Sequence, residues 1–515
     1  MHSKTFGSTV YGVDATIITI EVNITQGTKV FMVGLPDNAI KESQQRVESA
    51  IKCLGYRMPR QKTIVNLAPA DIRKEGSSYD LPIALCILQS SEQLSTAMLD
   101  KYVILGELSL DGKIRPIKGV LPIAIEARKQ GFKGFVLPKE NASEAAIVNN
   151  LDIIGVESLE EAIQFFSGEK KIEPLVKDTR DIFEYTANDY DVDFADVQGH
   201  SAVKRALEVA AAGGHNIIMV GPPGSGKTML ARRIATILPP LTLHEALEAT
   251  KIYSVAGKLN KNASLITKRP FSSPHHTVSD VALVGGGNIP QPGQISLAHN
   301  GILFLDELPE FKRTVLEVMR QPLEERIVTI SRAKATVTFP ANFMLVASMN
   351  PSPSGDFYRA DGTHPDSPQA VQKYLGKISG PLLDRIDIHV EVNPVSFEKM
   401  TSSENNESSE QIRERVMNAR KMQVKRFKDM GSDIHSNSMM PPQMVKKVCK
   451  INQASNALLK TAMDRLGLSS RAYDRILKVS RTIADLSASE TINVEHVAEA
   501  IQYRSLDREG WGGSI

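Results

Sequence analysis

Apolar positions along residues 1–169 fall into short alternating runs separated by stretches with helical spacing. ATIITIEVNI (15–24), KTIVNLAP (62–69), KYVILGELSL (101–110) and GFVLP (134–138) read as strands. DNAIKESQQRVESAIKCLG (37–55) and VLPIAIEARKQG (120–131) read as helices. This pattern predicts a mixed α/β domain over 1–169. The next segment, KKIEPLVKDTRDIFEYTANDYDVDFADV (170–197), is acidic and has no clear period, so it reads as a linker. From Gln198 to Val395, fully apolar strand-like runs alternate with helices, as in a parallel sheet covered on both faces. A polar stretch, TSSENNESSE (401–410), lies in a C-terminal region, 396–515, that is nearly all helix-like. No solenoid-type repeat is evident.

The chemistry concentrates in the middle domain. NIIMV (216–220) runs into GPPGSGKT (221–228) and then into the helix-like MLARRIATIL, which matches GxxxxGK[ST] between a strand and a helix. Glycines let backbone N–H groups converge on phosphate oxygens, and the helix N-terminus adds positive potential. The loop Gly221, Pro222, Pro223, Gly224, Ser225, Gly226, Lys227 and Thr228 is therefore the candidate ATP site. Lys227 reaches the β- and γ-phosphates in this reading, and Thr228 ligates Mg²⁺. GILFLDEL (301–308) is an apolar strand ending in two acids: Asp306 holds Mg²⁺ through water, and Glu307 polarises the attacking water. FMLVASMN (343–350) ends in Asn350, placed to orient that water. The expectation is an ATPase using ATP and Mg²⁺.

Composition narrows the partners. The 515 residues carry a net charge of only +2, so any nucleic-acid surface must be a local patch. Cys53, Cys86 and Cys449 lie far apart and suggest no disulfide framework, which fits a reducing compartment. The polar start MHSKTFGST lacks the apolar core of a signal peptide, and runs such as LPIALCIL (81–88) are too short to span a bilayer. A cytoplasmic protein without a membrane partner is expected.

LLDRID (382–387) resembles the arginine-finger box of the magnesium-chelatase and MCM-helicase branch of the AAA+ superfamily, and SSRAYDRILKVSRTIADL (469–486) resembles its sensor-2 helix. By that resemblance Arg385 reaches the γ-phosphate of a neighbouring subunit and Arg471 senses it, which implies a ring, most plausibly of six. RPFSSPHHTVSD (269–280), SLAHNGILFLDELPEF (296–311), KISGPLLDRIDIHVEV (377–392) and KEGSSYDLPIA (74–84) together resemble the ComM/YifB family of magnesium-chelatase-like proteins. The resemblance implies a hexameric ATP-driven motor that remodels branched DNA and supports integration of DNA during natural transformation. It assigns 198–395 to an AAA+ ATPase core and 396–515 to a helical lid bearing sensor 2. After the Asn350 strand the family carries a cysteine cluster suited to zinc. Here Ser352, Ser354, His364 and Asp366 stand in those places, so no zinc is expected.

KEGSSYDLP (74–82) and GELSLDGKIRPIKGVLPIAIEARKQGFKGFVLPKEN (106–141) resemble the Lon proteolytic domain, with Ser78 at the nucleophile position. The lysine position of that family falls on Leu121, and Lys118 lies three residues away. Without a positioned base a serine hydroxyl is a poor nucleophile, so Ser78 reads as a relic on a Lon-like fold.

RIVTISRAKATVTF (326–339) reads as two strands around a short turn, with Arg332 and Lys334 near the tip as candidate contacts to DNA phosphates. An ordinary surface hairpin is the competing reading. The helix QIRERVMNARKMQVKRFKDM (411–430) carries seven basic and two acidic residues and reads as a solvated face. VALVGGGNIPQPGQ (281–294) looks like the insertion this AAA+ branch places before its acidic strand, with glycines that permit movement. No base-reading motif is present, so any DNA contact is expected to be independent of sequence. Two other functions stand behind the DNA motor: a magnesium-chelatase-type motor subunit that remodels a protein partner, and an ATP-dependent Lon-like protease.

Overall fold

The strand His2–Tyr11 carries Ser3, Thr5, Ser8 and Thr9, yet it lies in the interior of a seven-stranded sheet. Its polar side chains are satisfied locally. Ser3 Oγ donates to Cys86 O (2.8 Å), Thr5 Oγ1 to Leu99 O (3.0 Å) and Ser8 Oγ to Thr16 O (2.9 Å). A strand this polar can sit inside because no buried hydroxyl there is left unpaired.

This arrangement comes from a computed structural model that describes residues 2–177, 190–260, 264–287, 290–332, 335–355, 366–395 and 406–504. The chain divides into two compact units, Met1–Thr186 with Leu243–Thr267, and Ala187–Thr242 with Lys268–Ile515. In the first unit the strands run in the order Val30–Val33, Lys62–Ala68, Asp14–Thr25, His2–Tyr11, Tyr102–Ile104, Gly134–Pro138, Asp152–Val156. The apolar helix Asp80–Ser90 packs against its central strands. Leu243–Thr267, which the sequence boundaries place in the ATPase core, clusters with this N-terminal unit. Its helix Leu243–Ala256 packs on Val120–Lys129, and Gly119 N donates to Ser254 O (3.1 Å).

The second unit is built on a parallel five-stranded sheet in the order Phe271–Ser272, Ile302–Leu305, Met344–Met349, Ile217–Val220, Ile388–Glu391. The three central strands are buried throughout, which explains their unbroken apolar runs. Arg269 closes the gap left where the chain departs for the other unit, donating to Pro239 O (2.6 Å) and Asn300 O (2.7 Å). Five helices follow the sheet: Ser409–Asp429, Pro442–Val448, Gln453–Leu466, Ser470–Leu486 and Val494–Gln502. The α/β architecture with a parallel sheet and a helical C-terminal region is the one the sequence pattern predicts.

Ser409–Asp429 buries Ile412, Val416, Ala419, Gln423 and Phe427 along one stripe. Several of its basic residues serve packing. Arg415 pairs with Glu208 (2.5 Å) and Glu407 (2.9 Å), Arg420 donates to Ala211 O (2.8 Å), and Arg426 pairs with Asp485. Among the described residues no helix is long and apolar enough to cross a membrane.

Asp80 opens its helix fully buried and takes Arg46 through both carboxylate oxygens (2.7 and 3.0 Å), with Leu108 N as a third donor (3.2 Å). Burial pushes the Asp80 carboxyl up to about 6, against the pull of Arg46. A folded-state value above the unfolded one means that Asp80 favours folding most when protonated and loses that contribution as pH rises through about 6. Removing the partner of a buried charge costs about 3–5 kcal/mol, so Arg46→Met is expected to destabilise the N-terminal unit by that order at pH 7. The loss should shrink toward pH 5, where Asp80 takes a proton. Urea unfolding followed by circular dichroism at the two pH values checks both the size and the sign.

Candidate functional site

The site forms where three parallel strands end side by side. Ile217–Val220 pairs with Met344–Met349 from Ile217↔Val346 to Val220↔Met349, and Ile302–Leu305 pairs on the other side from Ile302↔Met344 to Leu305↔Ala347. This register brings the phosphate loop, the acidic pair and Asn350 to one edge of the sheet, the usual crevice for ligands in open α/β sheets.

The loop is shaped by its glycines. Gly224 and Gly226 have φ of 75° and 87°, in the left-handed region. A Cβ on Gly221 would stand 2.2 Å from Val392 O, so no side chain fits there. A Cβ on Gly224 would meet nothing within 4 Å, because that face is open to the cleft. The helix Lys227–Ile237 begins directly after the loop.

Lys227 Nζ donates to Gly221 O (2.7 Å), Pro222 O (2.8 Å) and Asn350 Oδ1 (3.2 Å). Burial lowers its pKa, while the nearby carboxylates of Asp306 and Glu307 oppose that shift. Thr228 Oγ1 donates to Asp306 Oδ2 (2.8 Å), so the two expected Mg²⁺ partners already face one another across the cleft. The cleft has a volume of about 390 Å³ and is lined by Pro223, Gly224, Ser225, Gly226, Lys227, Thr228, Met229, Asp306, Glu307 and Asn350. Ser225 Oγ is buried and lacks a protein hydrogen-bond partner. An open glycine face, a buried unpaired hydroxyl, a lysine and a Thr–Asp pair together fit a nucleotide triphosphate with its Mg²⁺. Among the described residues no three His, Cys, Asp or Glu side chains converge as a metal cage.

Two contributors escaped the sequence reading. Ser348, fully buried, donates to Asp306 Oδ1, and its Oγ accepts from Glu307 N (3.3 Å). It lies two residues before Asn350, hence on the same face of the strand, and that period was the available signal. The second is His276, whose Nδ1 lies 3.7 Å from Glu307 Oε2. Glu307 itself has φ 54°, a left-handed conformation that is costly for a side chain other than glycine and tends to persist at functional sites.

The lining does not include Arg385 or Arg471. Arg385 is nearly buried, paired with Glu324 and donating to Pro381 O, while Arg471 is exposed in the first turn of Ser470–Leu486. Arg332 is exposed at the end of Ile327–Arg332, which pairs with Ala335–Pro340 up to Arg332↔Ala335; Lys334 lies outside the described residues. In the loop after Asn350, Ser352 Oγ and Ser354 Oγ are 3.0 Å apart and Asp366 accepts from Ser354 N (2.9 Å), with His364 outside the described residues.

In the N-terminal unit the segment around Ser78 is given over to structure. Tyr79 is buried and donates its hydroxyl to Ser8 O (3.1 Å), Ser77 Oγ donates to Glu107, and Ser78 O accepts from Gly106 N (2.8 Å). Leu121 is fully buried, and the exposed Lys118 lays its stem over Gly257.

Comparison with known proteins agrees with this geometry. Residues 193–400 match the family model for magnesium chelatase, subunit ChlI; residues 20–141 match subunit ChlI of Mg-chelatase, and 406–504 match the ChlI C-terminal region. The chain is 43% identical over 501 residues to the competence protein ComM of Haemophilus influenzae, covering 96% of each. It is also 43% identical over 507 residues to YifB of Escherichia coli, again covering 96% of each. Likeness to the magnesium-chelatase 67 kDa subunit of Chlorobaculum parvum is 26% over 209 residues, or 39% of this chain and 27% of that one. A loop and acidic strand built for nucleotide, three consecutive chelatase-type segments and near full-length likeness to ComM and YifB place the chain in one family: it belongs to the ComM/YifB family of magnesium-chelatase-like AAA+ ATPases.

Proposed function

We propose that this protein hydrolyses ATP in a ring of its own copies, most plausibly six, and uses the cycle to drive DNA through branch migration in support of DNA integration. The observation that carries the ATPase part is the Thr228–Asp306 contact at 2.8 Å, joining a loop and a strand far apart in sequence. Bound Mg²⁺ would neutralise charge developing on the phosphates. Lys227 would turn from the loop carbonyls to the phosphates, Asn350 would orient the water, and Glu307 would accept its proton.

Arg385 fits a role across a subunit boundary. Its Nε is buried without a hydrogen-bond partner, and its outer nitrogens are taken by Glu324 and Pro381 O of its own chain. Arg471, exposed at a helix start, would complete the charge around the γ-phosphate. The DNA part rests on the exposed Arg332 hairpin and on the competence role in the name of the H. influenzae relative. A chelatase-type motor acting on a protein partner is the second reading. What favours it is the likeness to the C. parvum subunit, over 39% of this chain.

Glu307→Gln is expected to lower kcat for ATP by roughly 10²–10⁴-fold while leaving nucleotide binding intact, as loss of a general base does. Steady-state turnover together with equilibrium binding of a fluorescent ATP analogue checks it. An arginine supplied across an interface contributes about 10³–10⁵-fold, so Arg385→Ala should be nearly inactive. Mixing it with the equally inactive Lys227→Ala should restore turnover, because some interfaces then pair an intact loop with an intact finger. Failure of the mixture to recover contradicts the trans role. For DNA, Arg332→Ala should weaken binding to fork and single-strand probes alike, and should lower the slope of log K against log salt. Titration across salt concentrations reads both.

A further inference from the structure

Glu307 stands in a two-position arrangement. Its backbone is fixed, with φ 54° and its N–H shared between Asp306 Oδ1 (3.2 Å) and Ser348 Oγ (3.3 Å), so only side-chain torsions decide where its carboxylate goes. As a base for hydrolysis that carboxylate must face the phosphate end of the cleft. Instead Oε2 lies 3.7 Å from His276 Nδ1, in contact though beyond hydrogen-bond length.

The sheet itself sets this meeting. Phe271–Ser272 pairs in parallel with Ile302–Leu305, Ser272 opposite Leu303. His276 and Glu307 each lie four residues beyond those partners, so equal lengths of chain bring them together at the same edge. The His276 ring is held in place. It stacks on His275 at 4.1 Å and meets the edge of the buried Phe311 at 6.4 Å, and His275 Nδ1 is bonded to Thr277 Oγ1 (2.9 Å).

From His276 a short covalent path leads to the hairpin. His275 O accepts from Val278 N (2.9 Å), and Ser279 caps the helix Asp280–Val284. Asp280 accepts from Thr314 Oγ1 (3.3 Å). The helix ends on Gly285 and Gly286, with φ 109° and 155°. A Cβ on Gly285 would meet Ile330 at 2.9 Å, and one on Gly286 would stand 3.2 Å from Arg332 Nη2, so the hairpin rests directly on these glycines. Displacing Arg332 must therefore press on the same short segment that carries His276.

We propose that His276 is a positioning residue that withholds Glu307 from the attacking water until the Arg332 hairpin engages its polymer. This rests on the reading of the chain as a DNA-driven motor and adds the link by which DNA would license hydrolysis.

The test uses the full-length protein, with kcat and KM for ATP measured alone and with single-stranded and forked DNA, for wild type, His276→Ala and His276→Gln. His276→Ala should raise the DNA-free kcat about 5-fold or more, with KM within about 2-fold, and should shrink the stimulation by DNA in proportion. His276→Gln keeps an N–H donor beside Glu307 and should retain the wild-type ratio. Equal melting temperatures confirm that the three proteins share one fold. If His276→Ala leaves the DNA-free kcat unchanged or lowers it, the proposal is overturned. If wild type is not stimulated by any DNA, the DNA reading fails instead, and the restraint on Glu307 is then judged by the nucleotide-only kcat alone, with the same two outcomes.

Discussion

The parallel register of the second unit is the constraint on which everything else depends. Ile217–Val220, Ile302–Leu305 and Met344–Met349 carry no chemistry of their own; they are buried hydrocarbon that fixes three strand ends side by side. A slip of one residue would turn each strand's side chains to the opposite face, moving Ser348 away from Asp306 and Asn350 away from Lys227. The phosphate loop, the acidic pair and Asn350 are thus one object held by backbone ladders.

A second knot ties that sheet to the helical region. Asp387, just beyond the arginine-finger position, is buried between His215 Nδ1 (3.3 Å), Asn216 N (3.2 Å) and Arg475, and His215 Nε2 reaches Thr482 Oγ1 (2.8 Å). Burial alone would raise the Asp387 carboxyl, but Arg475 and His215 outweigh it and hold the group well below the ordinary carboxylate range. Burial also pushes the His215 imidazole toward its neutral form. The strand that bears Arg385 and the helix that bears Arg471 are therefore coupled through buried charge, so a shift in one is carried to the other.

Much of this was legible in the sequence. GPPGSGKT and ILFLDEL declare their geometry because their physics is local: glycines where backbone must approach phosphate, an apolar run where a strand is covered on both faces. Ser348 and His276 were harder, since each acquires its role only when another strand is laid beside it. The polar HSKTFGSTVY gives little sign of an interior strand, because its burial depends on carbonyls at Cys86 and Leu99. Leu243–Ala256 likewise follows the phosphate-loop helix in the chain but packs with the N-terminal unit, and no periodicity announces which neighbour a helix will choose. The basic helix Ser409–Asp429 was read correctly as largely structural, for a reason composition cannot supply: its arginines meet Glu208, Glu407 and Asp485.

The measurement that bears most directly on the account is ATP-dependent migration of a synthetic four-way DNA junction by the wild-type protein beside Lys227→Ala. The account predicts that wild type resolves the junction only with ATP and Mg²⁺ and that the variant leaves it intact. Brisk ATP hydrolysis by wild type with no binding or movement of junctions or forks would contradict it, and would point to a protein as the object of the motor.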